Sequence, residues 1–261
     1  MSAAAEVTVA GRRLEVVDRP GDPERSALVF LHEGLGSVGL WRTFPARVAD
    51  ATGRRAVLYS RAGYGASDPA DLPRPDRYMH DEALCVLPAV LEHLEVRRPL
   101  LVGHSDGASI ALIHAGSGRP VEGLVLIAPH AFVEERSLQG IRAAREAYLG
   151  GDLRERLARH HTDVDNAFWG WNDVWLSEPF RRWNIEEYLP RVQAPVLVVQ
   201  GDADEYGTER QVEAIVSWAG GPVSVCIVPG AGHGPHLEDP RTVLDAVTTW
   251  IAGLPAAAGS S

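Results

Sequence analysis

The chain has 261 residues, 45% of them hydrophobic, which is enough for the core of one large domain. Its 35 acidic and 25 basic side chains give a formal net charge of -10, which argues against nucleic acid or an anionic membrane surface as the main partner. The 2 cysteines, Cys85 and Cys226, form neither a disulfide framework nor a zinc site and read as buried free thiols.

The N-terminal MSAAAEVTVAGRR has no basic start followed by a long apolar run, so no signal peptide is expected. No apolar stretch reaches transmembrane length, and the expected location is cytoplasmic. VTVAGRRLEVVD alternates apolar and polar residues around Ala-Gly, which predicts an antiparallel hairpin. ALVFLHE is a continuous apolar run, as buried parallel strands are. WRTFPARVADATG reads as a helix closed by Gly53, and AVLYS as a second buried strand. YMHDEALCVLPAVLEHLEV has helical periodicity with a kink expected at Pro88. PLLVGHS is a strand, GASIALIHAG a helix and LVLIAPH a strand.

The alternation then stops. Residues 131–191 hold two helical stretches, SLQGIRAAREAYLGG and DLRERLARHH, and the aromatic piece NAFWGWNDVWLSEPFRRWNIEEYLP. The rhythm resumes with the strand PVLVVQG, the helix TERQVEAIVSWAG, the strand VSVCIVPG and the helix DPRTVLDAVTTWIAG. Strands alternating with helices predict an α/β fold: a mostly parallel, twisted sheet flanked by helices on both faces. The expected organisation is a core of residues 1–130 and 192–254, an inserted helical cap at 131–191, and a flexible C-terminal tail at 255–261.

Gly103-His104-Ser105-Asp106-Gly107 falls where a strand becomes a helix. G-x-S-x-G in that setting is a nucleophile elbow: the turn is sharp, and the serine stands at the carboxyl edge of the sheet before a helix N-terminus. A serine nucleophile needs a base, and the base an orienting acid, in the order Ser, acid, His on this architecture. Asp202, Asp204 and Glu205 follow one strand, and His233 and His236 another. The tryptophans Trp169, Trp171, Trp175 and Trp183 of the cap form either its own core or an aromatic lid over the serine. His160 and His161 are adjacent on a helix and point in different directions, so no metal is expected there. No phosphate-loop or dinucleotide fingerprint occurs, and no cofactor is expected.

The segments LHEGLGS, YSRAGYGASD, GHSDG, QGDADEYGT and GAGHGPHLEDP, in this order, resemble the α/β-hydrolase superfamily over nearly the whole chain. They are also similar to a bacterial subgroup often labelled enol-lactone hydrolases. The resemblance implies the α/β-hydrolase fold, Ser105 as nucleophile, His233 as base and Asp204 as acid. It leaves Asp202 to cap its loop and His236 to the pocket or to packing. It also places the oxyanion amides on Gly34 and Asp106. Glu33 stands where the family has glycine. Its carboxylate is expected either to read a substrate hydroxyl or amine or to pair with a cation such as Arg61. The side chain of Asp106 is expected to favour the helix N-terminus by its charge alone.

The expected activity is a serine hydrolase that opens a carboxylic ester, lactone or thioester, with a small carbonyl compound as substrate. The expected substrate contacts are Glu33, Trp169, Trp171, Trp175 and His236. The alternatives are hydrolysis of a carbon–carbon bond by the same residues, which requires a pocket cation, and a non-catalytic ligand-binding protein on the same fold. The sequence leaves monomer and dimer open.

Overall fold

The computed structural model describes residues 5–9 and 11–255. The expectations made for the ends, residues 1–4 and 256–261, lie outside the described residues. No helix among the described residues is long and apolar enough to cross a membrane.

The hairpin forms as expected: β1 (Ala5–Val9) and β2 (Arg12–Arg19) pair antiparallel, Val9 opposite Arg12. β3 (Leu28–Leu31) leads through a short 3-10 turn at Val38–Trp41 to α1 (Phe44–Thr52), which Gly53 closes in the left-handed conformation at φ 67. β4 (Ala56–Tyr59) follows. The next helical stretch is not continuous. α2 (Tyr78–Asp81) passes through a π turn at Glu82–Val86 into α3 (Leu87–His93). The π turn ends just before Pro88, which has no N–H to donate to the preceding turn. β5 (Leu100–His104), α4 (Asp106–Gly116) and β6 (Gly123–Ile127) then complete the first half.

Three helices fill the break in the alternation: α5 (Glu135–Gly150), α6 (Leu153–Leu157) and α7 (Val164–Leu176). The excursion is pinned where it leaves and returns. Ile185 donates to the carbonyl of Ala131 at 2.8 Å, and Phe132 forms an isolated bridge with Asn184. β7 (Val196–Gly201), α8 (Glu209–Trp218), β8 (Val223–Val228), the short α9 (Pro235–Glu238) and α10 (Pro240–Ala252) follow.

The described residues form an eight-stranded sheet in the order β1-β2-β4-β3-β5-β6-β7-β8, antiparallel at the β1 and β2 end and parallel from β4 onward. Successive residues of a strand face opposite sides. Leu28 and Phe30 of β3 therefore join a core with Val48 of α1 and Val243 and Val247 of α10, while Val29 and Leu31 pack on the other side with Val90 of α3 and Ile113 of α4. β3, β5 and β6 are buried along their whole length, which explains their unbroken apolar runs.

The cysteines are free but not buried. Cys85 is exposed on the π turn, and Cys226 is partly covered on the edge strand β8, which has a neighbour on one side only.

Candidate active site

The serine of the pentapeptide sits between β5 and α4 with φ 52 and ψ -116, a strained conformation for a residue with a side chain. Its flanking glycines are required by close approach. A Cβ on Gly103 would fall 2.4 Å from the carbonyl oxygen of Gly107, and one on Gly107 would fall 1.9 Å from that of Leu31. The end of β5 packs so closely on the start of α4, and α4 on the end of β3, that neither position admits a side chain. Asp106 is the first residue of α4, so its N–H has no partner within the helix.

Two other loops reach the same point from the ends of β7 and β8. His233 Nδ1 lies 2.9 Å from each carboxylate oxygen of Asp204 and donates to it, and Nε2 then accepts from the Ser105 hydroxyl at 2.9 Å. Asp204 is held from other directions by the N–H of Tyr206 at 2.7 Å, the N–H of Gly207 at 3.2 Å and the amide of Gln200 at 2.7 Å. Burial opposes its charge, but the bonds from His233 and Tyr206 outweigh that and hold the carboxyl well below the usual range. Asp202 faces away and accepts the N–H of Gly230 at 2.6 Å, tying the β7 loop to the β8 loop. Glu205 accepts the N–H of His233 at 3.2 Å.

Glu33 does not pair with Arg61. Its carboxylate lies 3.3 Å from His104 Nδ1, and His104 Nε2 donates to the carbonyl of His233 at 2.8 Å. Burial works against both charges. The pairing still lowers the Glu33 carboxyl well below its ordinary value and raises His104 above its own. Arg61 is occupied elsewhere: its guanidinium donates to the carbonyls of His32 and Glu33, which fixes the peptide before Gly34.

The side chain of Asp106 also departs from expectation. It is fully buried and accepts from the Tyr78 hydroxyl at 2.5 Å, with Arg61 at 3.9 Å and Trp175 Nε1 donating to Tyr78 at 3.0 Å. Burial raises its carboxyl above the ordinary value. This chain of contacts ties α7 to the start of α4.

A cavity of about 100 Å³ lies over Ser105. Its wall includes Glu33, Gly34, Ser105 and His233 from the core, Ile141 of α5, and Trp171 and Trp175 of α7. Trp171 packs directly on Gly34, where a Cβ would fall 2.1 Å from the indole Nε1. Trp169 and His236 do not line it. Trp169 packs edge-on against Tyr148 and Phe168 under the guanidinium of Arg145, because α7 turns it away from its neighbour Trp171. His236 is buried against Trp41, Phe44 and His104. Trp183 stacks on Phe180.

Sequence reasoning missed His130, which lines the cavity in edge contact with Trp175, 5.4 Å between ring centroids. The available signal was its place three residues past β6, the strand beside the one that carries Ser105.

A family model described as "Alpha/beta hydrolase family" matches residues 28–246. Proline iminopeptidase of Lactobacillus helveticus is 32% identical, over 87% of this chain and 90% of its own length. Among solved structures, proline iminopeptidase of Mycobacterium smegmatis aligns at 21% identity with a TM-score of 0.73, over 96% of this chain and 98% of that one. The enol-lactonase from Burkholderia xenovorans LB400 aligns at 18% identity with a TM-score of 0.72, over 95% of this chain and 100% of that one. Identities this low speak for the fold alone.

Proposed function

The chain belongs to the alpha/beta hydrolase family, and on that premise we propose that it is a serine hydrolase that cleaves a carboxylic ester, lactone or thioester through an acyl-enzyme. The observation that carries this reading is the unbroken contact from Asp204 through His233 to Ser105. With Nδ1 committed to Asp204, the free lone pair of His233 is on Nε2, aimed at the serine hydroxyl. His233 takes that proton as Ser105 Oγ attacks the carbonyl carbon, and Asp204 stabilises the resulting imidazolium. The amides of Gly34 and Asp106 receive the oxyanion. His233 then returns the proton to the leaving oxygen or sulfur, and a water activated by the same nitrogen releases the acid.

The carbon–carbon alternative is not favoured. It needs a cation to hold a substrate carboxylate. No arginine lines the cavity among the described residues, and Arg61 is spent on backbone carbonyls. The curated relatives named as iminopeptidases raise a second reading, cleavage after an N-terminal proline. The free amine of such a substrate would need an anionic partner. Among the described residues Glu33 is the acid on the cavity wall, and its carboxylate is already paired with the His104 ring.

A panel of p-nitrophenyl esters, lactones and thioesters, with prolyl p-nitroanilide alongside, tests the choice. Turnover of the acyl-oxygen or acyl-sulfur substrates well above the anilide is expected. Turnover of the anilide alone overturns the ester reading.

A further inference from the structure

We propose that His130 and the aromatic roof select a short acyl group, about four carbons long, that carries a hydroxyl or keto oxygen; this deepens the serine-hydrolase reading above and rests on it. Size comes first. A dry cavity of about 150 Å³ holds benzene. The space over Ser105 is about 100 Å³, open to solvent on one side and lined by Ile141, Trp171, Trp175 and Tyr206. It surrounds both Ser105 and Gly34, which is where an acyl group bonded to the serine must lie.

Polarity comes second. Most of the wall is apolar, and several of its polar groups are already engaged. The Ser137 hydroxyl donates to the carbonyl of Tyr206 at 2.6 Å, and the carboxylate of Glu33 holds His104. His130 is different. It is 2% exposed, its Nδ1 is sealed from solvent without a partner, and its ring makes no hydrogen bond to any described residue. A buried polar group left unpaired is costly, and native proteins keep few of them. The other ring nitrogen, Nε2, is not sealed in this way and has no partner among the described residues, so it is the atom that a bound acyl group can reach and pair.

Charge narrows the partner. Burial, helped by the nearby His233, lowers the His130 pKa to about 3, so the imidazole is neutral, with one donor and one acceptor. A substrate carboxylate would find no arginine or lysine on this wall, and an ammonium would find an acid already paired. A hydroxyl or keto oxygen matches the ring without bringing an unpaired charge into the cavity.

The test compares kcat/KM for p-nitrophenyl butyrate, 3-hydroxybutyrate and octanoate in the wild type and in His130→Phe, His130→Leu and His130→Gln. The wild type should prefer hydroxybutyrate to butyrate by about tenfold or more, one net hydrogen bond, and should turn over octanoate poorly. Phenylalanine and leucine should each bring the first ratio close to one, and glutamine, which can still donate and accept, should keep part of it. The leucine variant reads the same ratio should the larger ring not be accommodated. A wild-type ratio near one, a ratio that survives His130→Phe or His130→Leu, or a preference for octanoate overturns the proposal. No turnover of any ester together with no fluorophosphonate labelling of Ser105 overturns the hydrolase reading itself. Labelling of Ser105 without turnover of either four-carbon ester overturns this inference alone.

Discussion

Changing Glu33 to glutamine removes a charge with little change of shape, and it leaves His104 bonded to the carbonyl of His233 but without its counter-ion. A hydrogen bond to a charged group contributes about 1.5–3 kcal/mol. The 3.3 Å separation and the 26% exposure of the Glu33 side chain place this one at the lower end, about 1.5 kcal/mol. For a domain of this size that is about 3–6 °C in Tm. The pH dependence follows from the two shifts. The Glu33 carboxyl is held below its ordinary 4.5, so its contribution is present above that pH and fades only on strong acidification. His104 is raised above its ordinary 6.5, so its contribution is full below that pH and fades as the pH rises through the folded value. The two overlap between 4.5 and 6.5. Thermal denaturation of both proteins should therefore show the widest Tm gap near about pH 5.5 and a narrower one near about pH 9. An equal gap at both, or none, refutes the pairing. So does a variant that melts like the wild type yet loses discrimination between hydroxylated and plain esters, because that result puts the carboxylate on the substrate.

Ser105→Ala should fold with an unchanged circular dichroism spectrum and lose about 10⁴-fold or more in kcat; near-native turnover defeats the nucleophile assignment. Asp204→Asn should cost about 10⁴-fold, because an amide facing Nδ1 imposes the wrong tautomer on His233, whereas Asp202→Asn should cost less than about tenfold. The reverse order would move the acid by two positions. Trp171→Ala should shift the preferred ester from butyrate toward octanoate in a chain-length series, and Trp169→Ala should leave that profile in place, since only the first indole borders the cavity. Equal effects of the two on the profile would contradict the observed wall.

The frame of the fold was legible because its determinants are local. Val29, Val102 and Val125 lie in apolar runs that mark strands buried on both faces, and glycines mark the turns after the first two of these strands. The elbow at Ser105 was legible for the same reason: Gly103 and Gly107 announce a turn too tight for side chains. What stayed hidden depends on partners far apart in the chain. His104 meets Glu33 across 71 residues and the carbonyl of His233 across 129. Arg61 and Glu33 have complementary charges, yet the guanidinium is consumed by the carbonyls of His32 and Glu33, which no pattern of side chains reveals. Asp106 looked like a helix-terminal charge, and only the packing of α2 brings Tyr78 to it. Cys85 was read as buried from its residue type, yet it lies off the face that Ala83, Leu87 and Val90 bury. Trp169 and Trp171 were alike in sequence, and the helical turn between them sends one to the cavity and the other to Tyr148.

The central claim is that Ser105 is a nucleophile activated by His233. Incubation of the protein with a fluorophosphonate, followed by mass spectrometry of the intact chain and of its peptides, tests it most directly. One phosphonyl adduct should form with time, map to the peptide that contains Ser105, and be absent from Ser105→Ala and strongly slowed in His233→Ala. Absence of the adduct from the wild type, or an adduct on any other residue that persists in Ser105→Ala, contradicts the claim.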